Sequence, residues 1–226
     1  RPVLVYFHGG GFTVGSSDDC DFLTRKLAAT NRALVVSANY RLAPEFPFPV
    51  PLDDAYGVYR WVTGNASRIG GDTRFLGVAG DSSGSNFAAA IPLRCADDGV
   101  RTPDAVVLLG AMVDFRFERW SSFREQAPRG IVYDTAFTGF IRGAYLPTTP
   151  WDHPYASPIE GDLHAFPPTV IATGTHDPII DSARAFADRL GEAGTSVTTY
   201  FPAGMPHGFY FFPGVHPEED VAYRIV

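Results

Sequence analysis

Six short apolar segments alternate with helix candidates along the chain, and this alternation limits the fold more than any other feature. The apolar segments are rich in Val, Leu and Ile and are bounded by Gly, Asp or Pro, as buried strands are. They cover residues 3–7, 33–37, 75–79, 105–109, 169–173 and 197–201. The helix candidates cover residues 19–30, 50–65, 82–97 and 182–193. This order predicts an α/β fold with a mostly parallel sheet flanked by helices, whose functional loops gather at the carboxyl ends of the strands.

The composition excludes several classes of protein. The chain has 226 residues, of which 45% are hydrophobic and 19% are charged, which fits one soluble α/β domain. The formal net charge is −7 and no basic cluster occurs, so nucleic acid is not expected as a partner. No apolar run is long enough to span a membrane. Cys20 and Cys95 form neither a CxxC pair nor a Cys/His cluster, so we expect no disulfide, no metal site and no cofactor.

The segment from about residue 115 to residue 168 interrupts the alternation. It is rich in aromatic residues, including Trp120, Tyr133 and Trp151, and it lacks clean strand signals. Two interpretations stay open for it, a surface excursion with its own small core or an aromatic lid over a site. We expect a single domain over residues 1–226 in which residues 115–168 form a cap-like insertion.

A serine elbow is predicted at residues 80–84, which read Gly-Asp-Ser-Ser-Gly. This sequence fits the pattern G-x-S-x-G, in which a sharp turn between a strand and a helix exposes the serine. The predicted strand at 75–79 precedes the motif, and a helix candidate rich in small residues follows it. Ser82 is therefore the candidate nucleophile, and an ordinary strand-to-helix turn is the alternative.

Ser82 needs a general base and an orienting carboxylate to act, and the order along the chain narrows the choice. In sheets of this type the order is serine, then Asp or Glu, then histidine. His207 follows the last predicted strand and is flanked by Pro and Gly, which suits a loop that presents a side chain. Asp177 follows the strand before it, whereas its rival Asp181 is expected to be the N-cap of the next helix. The other histidines after Ser82 are His153, His164, His176 and His216.

Three consecutive glycines, Gly9, Gly10 and Gly11, follow the first predicted strand within the sequence HGGGF. Glycines at such a place can direct backbone N–H groups into a site without a Cβ in the way of a substrate. A tetrahedral intermediate needs such donors for its oxyanion. We therefore predict that the N–H groups of Gly10, Gly11 and Ser83 form an oxyanion hole, and that His8 supports the loop through hydrogen bonds.

Five motifs in this order resemble those of the hormone-sensitive-lipase-like esterases, also called family IV carboxylesterases, which are α/β-hydrolases. They are HGGGF at 8–12, YRLAPE at 40–45, GDSSG at 80–84, Asp177-Pro178, and His207-Gly208-Phe209. The resemblance implies a carboxylic-ester hydrolase with the triad Ser82, Asp177 and His207. It also implies that residues 40–45 support the glycine loop. Family members usually have Ala and Gly where this chain has Ser83 and Ser85.

The start of the chain differs from the pattern of the family. Its members have several dozen residues before HGGGF, including helices that cover the active site, whereas this sequence enters a strand within two residues of Arg1. We therefore expect the usual N-terminal cap segment and the native N-terminus to be absent. A cytoplasmic location is expected, and a signal peptide is left open.

The resemblance leads us to expect hydrolysis of short to medium acyl esters of small molecules through an acyl-enzyme intermediate. Lactonase or aryl-amidase activity with the same triad stays open, because these activities differ in pocket shape. A catalytically silent ligand receptor is a third interpretation, although His207, which related plant receptors have lost, is present. No membrane partner is expected, and a homodimer is left open. The expected walls of the substrate pocket are Phe12, Phe137, Phe140, Tyr145 and Phe209.

Overall fold

A computed structural model describes residues 1–129, 133–212 and 217–224. The strands in these ranges are β1 (Val3–Phe7), β2 (Leu34–Ala38), β3 (Leu76–Asp81), β4 (Ala105–Leu109), β5 (Thr169–Ala172) and β6 (Val197–Tyr200). They form one sheet in the order β2-β1-β3-β4-β5-β6, and every neighbouring pair is parallel. The predicted α/β fold with a parallel sheet is therefore confirmed.

Helices cover both faces of this sheet. They are α1 (Asp21–Asn31), α2 (Val50–Asn65), α3 (Ser83–Asp97), α4 (Ser121–Gln126), α5 (Thr135–Tyr145), α6 (Ile180–Glu192) and α7 (Pro217–Arg224). On β1, Val3, Val5 and Phe7 belong to the same buried cluster as residues of α2, α3 and α6, whereas Leu4 and Tyr6 belong to a second cluster with residues of α1 and α7. Because both faces are covered, the strand reads as a continuous apolar run. No helix in the described ranges has both the length and the apolar character to cross a membrane.

The order of the strands places two loops side by side. Strand β1 has β2 on one side and β3 on the other, so the sheet grows in opposite directions from β1. Phe7 at the end of β1 pairs with Gly80 near the end of β3. The glycine loop after β1 and the serine elbow after β3 therefore begin next to each other. Open parallel sheets bind ligands at such a switch point.

The six predicted strands and four predicted helices agree with observed ones within one or two residues at each end, whereas α4, α5 and α7 were not predicted. The start of α6 is the informative difference. Asp177 explains why α6 begins early at Ile180. Its carboxylate accepts the N–H of Ile179 at 3.1 Å, and its carbonyl accepts the N–H of Ile180 at 3.0 Å. Asp181 therefore lies in the first turn, and the prediction that it is the N-cap is wrong. Its carboxylate instead accepts the N–H of Ser122 at 2.8 Å, which ties α6 to α4.

The segment between β4 and β5 carries α4, α5 and three short 3₁₀ turns, namely Phe117–Arg119, Ala127–Arg129 and Pro158–Glu160. Phe115, Phe117 and Phe123 are buried in the same hydrophobic core that lies under α2 and α3. Phe140 and Trp151 are exposed. The aromatic residues of this segment thus extend the core of the sheet and do not form a separate one.

Candidate active site

Ser82 lies in a sharp turn between β3 and α3. Its backbone has φ 51° and ψ −119°, a left-handed conformation that costs a residue with a side chain roughly 1–3 kcal/mol. Gly84 permits the turn, because a Cβ there would lie 2.0 Å from the carbonyl oxygen of Phe7. The N–H of Ser82 donates to the carbonyl of Leu109 at 2.8 Å. The elbow is therefore held against both neighbouring strands.

Ser85, which stands where the family usually has glycine, anchors this elbow. Its hydroxyl donates to the carbonyl of Ser82 at 2.5 Å and accepts the N–H of Met112 at 2.9 Å. Met112 follows β4, so one side chain joins the elbow to the loop after the next strand. The Ser85 hydroxyl thus makes two hydrogen bonds at the elbow that a glycine, which has no side chain, could not make.

The structure brings the three predicted triad residues into one hydrogen-bonded chain. His207 Nε2 lies 3.0 Å from Ser82 Oγ, and His207 Nδ1 lies 2.6 Å from Asp177 Oδ2. All three side chains are buried. The loops that carry Asp177 and His207 are joined by a bond from the N–H of His176 to the carbonyl of Met205 at 2.9 Å.

The other histidines that the structure describes do not share this position. His164 and His176 are exposed. The ring of His153 packs against Phe48 and Tyr155, with centroid distances of 5.1 and 5.5 Å. His216 lies outside the described residues. Of the described histidines, His207 alone is hydrogen-bonded to Ser82.

The glycine loop needs its glycines for two separate reasons. Gly10 has φ 117°, and a Cβ there would lie 2.0 Å from the carbonyl oxygen of Val14. Gly9 donates its N–H to Asp81 Oδ1 at 2.9 Å, and a Cβ there would lie 2.2 Å from Asp81 Oδ2. The loop can therefore approach the elbow this closely only without side chains at these positions.

His8 and Tyr40 support the glycine loop from beneath. Tyr40 donates its hydroxyl to the carbonyl of His8 at 2.6 Å, and the two rings stack at 4.3 Å. His8 Nδ1 lies 2.7 Å from the carbonyl oxygen of Gly9, to which it donates when that nitrogen carries the proton. Burial lowers the pKa of His8 below its ordinary value, so the ring is neutral at pH 7. These contacts agree with the supporting roles predicted for His8 and for residues 40–45.

Asp81 joins the glycine loop to the elbow, a role that the sequence analysis did not assign. Its Oδ1 accepts the hydroxyl of Tyr6 as well as the N–H of Gly9. Within the described residues its buried Oδ2 has no hydrogen-bond partner. Burial raises the pKa of the Asp81 carboxyl to about 6, although the bonds from Tyr6 and Gly9 act in the opposite direction. The only feature of the sequence that pointed to a role for Asp81 was its position inside the G-x-S-x-G motif.

Asp81 should make stability depend on pH. The raised pKa means that the folded chain holds this proton more tightly than the unfolded chain, whose carboxyl has a pKa of 3.8. The free energy of unfolding should therefore fall as pH rises from 4 to 6. Urea unfolding of the wild type and of Asp81→Asn at pH 4.5 and 7.0 isolates this effect, because the other groups titrate in both proteins. Between pH 4.5 and 7.0, we expect the free energy of unfolding to fall by about 2 kcal/mol more in the wild type than in the variant. An equal change in both proteins would contradict this account of Asp81.

Ser82 and His207 open onto a cleft of about 590 Å³. Of the five predicted wall residues, Phe137 lines it. Phe12 and Tyr145 are instead stacked on each other at 3.9 Å in the core, because the left-handed backbone of Phe12, with φ 65°, turns its ring inward. These two predicted wall residues are therefore corrected to core residues.

Phe140 and Phe209 also lie away from the cleft. On α5 the residues four apart, Phe137 and Ile141, face Gly11, which turns Phe140 to the solvent. Phe209 packs under the other face of the sheet, against Tyr210. Both predictions are corrected accordingly. The apolar side chains that the sequence analysis did not expect in the cleft are Val14, Tyr133, Phe211 and Phe212.

Tyr133 is the closest of these unexpected residues to the nucleophile. Its hydroxyl lies 3.4 Å from Ser82 Oγ, and its ring packs edge-on against His207 at 4.6 Å. It belongs to the aromatic segment, but no motif marked it. The described residues contain no group of three or more His, Cys, Asp or Glu that could hold a metal ion.

Known proteins share this sequence pattern and this geometry. The α/β-hydrolase fold family matches residues 4–211. The carboxylesterase NlhH of Mycobacterium tuberculosis is 37% identical over 226 residues, covering 96% of this chain and 69% of that protein. The solved esterase of Pyrobaculum calidifontis is 34% identical with a TM-score of 0.94, covering 99% of this chain and 74% of that one. A hormone-sensitive lipase from a metagenome library is 32% identical with a TM-score of 0.91, covering 99% and 75%.

The fold and the site thus define a serine ester hydrolase. The chain belongs to the α/β-hydrolase fold family and, within it, to the hormone-sensitive-lipase-like carboxylesterases of family IV. The prediction of carboxylic-ester hydrolysis is confirmed, which leaves the receptor interpretation without support.

Proposed function

We propose that this chain hydrolyses short to medium acyl esters of small molecules through a covalent intermediate on Ser82. The observation that carries the proposal is the continuous hydrogen-bonded chain from Ser82 Oγ through His207 to Asp177, with distances of 3.0 and 2.6 Å. Serine is a weak nucleophile unless a neighbouring base takes its proton. In this site only His207 is placed to do so among the described histidines.

The chemistry follows from the positions of these atoms. As Ser82 Oγ attacks the ester carbonyl, its proton moves to His207 Nε2. Asp177 accepts the Nδ1–H of His207, which fixes the tautomer and stabilises the imidazolium that forms. The C–O bond then breaks, and His207 returns the proton to the departing alcohol. A water molecule attacks the acyl group by the same route and releases the carboxylic acid.

The oxyanion of the tetrahedral intermediate needs hydrogen-bond donors. In our proposal the backbone N–H groups of Gly10, Gly11 and Ser83 supply them. Gly10 and Gly11 line the cleft beside Ser82. Their N–H groups donate to no acceptor in the described part of the chain. Ser83 is the first residue of α3, where N–H groups have no partner within the helix. Free donors that are already in place stabilise developing charge without reorganisation.

The volume and the lining of the cleft favour substrates with an acyl chain of limited length. A volume of about 590 Å³ with aromatic walls, among them Tyr133 and Phe137, can enclose an acyl chain of short to medium length. Residues 115–168 contribute these walls from one side, which is the role that we propose for this cap-like insertion. Each methylene that is enclosed contributes about 0.8 kcal/mol, or roughly fourfold in kcat/KM.

A series of p-nitrophenyl esters from acetate to laurate tests the proposed substrate class, because only the acyl chain changes while the leaving group stays the same. We expect kcat/KM to rise by up to about fourfold per methylene over the first members, as the walls enclose the chain. It should then fall for longer chains, whose ends remain in water. A kcat/KM that is highest for laurate would contradict the proposed substrate class.

A further inference from the structure

The hydroxyl of Tyr133 has two neighbours, and the distances indicate which of them receives its proton. It lies 3.2 Å from the sulfur of Met112 and 3.4 Å from Ser82 Oγ. A separation of 3.4 Å is long for two oxygen atoms, whereas 3.2 Å is close for the larger sulfur atom. The proton of Ser82 is directed to His207. Tyr133 therefore donates to Met112, and within the described residues its oxygen, 3.4 Å from Ser82 Oγ, accepts no hydrogen bond.

Both the acceptor, Met112, and the ring of Tyr133 are held in place. Met112 is held by its backbone, because its N–H donates to Ser85 Oγ at 2.9 Å and its carbonyl accepts from Asn86 Nδ2 at 3.0 Å. The ring of Tyr133 packs edge-on against Phe117 at 6.0 Å. Burial raises the pKa of Tyr133 above its ordinary value, so the hydroxyl stays protonated and its oxygen is a neutral acceptor.

The neighbours of Tyr133 show that its ring lies beside the proposed general base, His207. Its ring packs edge-on against His207 at 4.6 Å and against Phe137 at 5.7 Å. Phe137 in turn lies over the glycine loop, since a Cβ on Gly11 would be 2.9 Å from its ring. Tyr133 is therefore next to the residue that protonates the leaving group in the proposed mechanism.

We propose that Tyr133 accepts a hydrogen bond from the N–H of an amide leaving group, and that the enzyme therefore hydrolyses secondary anilides in addition to esters. This inference rests on the triad proposed above. Ser82 Oγ forms the bond to the amide carbonyl carbon and passes its proton to His207. The C–N bond then breaks, the proton goes from His207 to the nitrogen, and water releases the carboxylic acid from Ser82.

The acceptor matters for amides because of the geometry at nitrogen. In the tetrahedral intermediate the nitrogen lone pair must face His207 to receive the proton, so its N–H points elsewhere. A buried N–H without an acceptor is costly, and the oxygen of Tyr133 beside His207 offers one. The leaving oxygen of an ester carries no proton at this stage, so esters do not use this contact.

The test compares the wild type with Tyr133→Phe on p-nitrophenyl acetate, 4-nitroacetanilide and N-methyl-4-nitroacetanilide. We expect the variant to lose about tenfold more kcat/KM on the secondary anilide than on the ester, the size of one neutral hydrogen bond. The N-methyl anilide has no N–H, so its kcat/KM should change by the same factor as that of the ester. Tyr155→Phe, which removes a hydroxyl bonded to Asp97, is the matched control and should leave the ratio unaltered.

Two results would overturn this inference. One is an equal loss of kcat/KM on anilide and ester in Tyr133→Phe, and the other is wild-type anilide turnover no faster than that of Ser82→Ala. Failure of the proposed triad has a different signature, because Ser82→Ala would then retain turnover of the ester. Ester turnover in Ser82→Ala therefore tells the two failures apart.

Discussion

Replacement of Ser82 by alanine is expected to lower kcat/KM for p-nitrophenyl acetate by about 10⁴ or more. The change removes the only atom that forms the covalent intermediate. The fold should persist, because within the described residues Ser82 Oγ is hydrogen-bonded only to His207 and lies 3.4 Å from the hydroxyl of Tyr133. Kinetics on purified protein, with circular dichroism and thermal unfolding as the check on folding, measure both effects. A folded Ser82→Ala variant that keeps more than a hundredth of the activity would refute the assignment of the nucleophile.

His207→Ala is expected to cause a loss of similar size, about 10⁴ or more in kcat/KM, because no other histidine in the described part of the chain is hydrogen-bonded to Ser82. The chain offers a matched control in His176, an exposed histidine in the neighbouring loop. His176→Ala should keep activity within about twofold, since surface substitutions of this kind rarely alter stability by more than about 0.5 kcal/mol.

The double variant gives a second check on the same assignment. Triad residues act as a unit, so Ser82→Ala combined with His207→Ala should be no slower than either single variant. A further loss that multiplies the two single losses would show that His207 acts independently of Ser82. If the enzyme stayed active as His207→Ala but became inactive as His176→Ala, His176 and not His207 would be the general base. That result would contradict the structure.

The fold and the three triad positions could be predicted from sequence because each depends on local order. The strand segments are buried on both faces and so read as continuous apolar runs, and Ser82, Asp177 and His207 each lie in the loop or turn that follows one of them. Parallel strands bring such loops to one edge of the sheet. The spacing of glycines around Ser82 adds a local signal for the elbow.

The pocket walls could not be predicted in this way, because a side chain's direction depends on its own backbone and on packing between distant segments. Phe12 is adjacent to the glycine loop, yet its left-handed backbone buries the ring against Tyr145. Phe137 and Phe140 are three residues apart on α5, but only Phe137 lies in the cleft. Tyr133 lies 51 residues after Ser82 in the sequence, and no local sequence pattern predicts their contact.

Asp81 illustrates the same limit for electrostatics. The motif shows a carboxylate beside the nucleophile, but its raised pKa depends on burial beneath the glycine loop, which only the tertiary structure reveals. The early start of α6 has a related cause, because Asp177 uses both its side chain and its carbonyl to bond the first residues of the helix.

The most direct test of the central claim is covalent labelling with a fluorophosphonate, followed by peptide mass spectrometry. A nucleophile activated by the triad attacks the phosphorus and displaces fluoride, so the label marks the reactive atom without regard to the natural substrate. We predict one label per chain, located on Ser82 in the wild type and absent in Ser82→Ala, with much slower labelling in His207→Ala. A label on any other residue, or labelling of His207→Ala at the wild-type rate, would contradict the account.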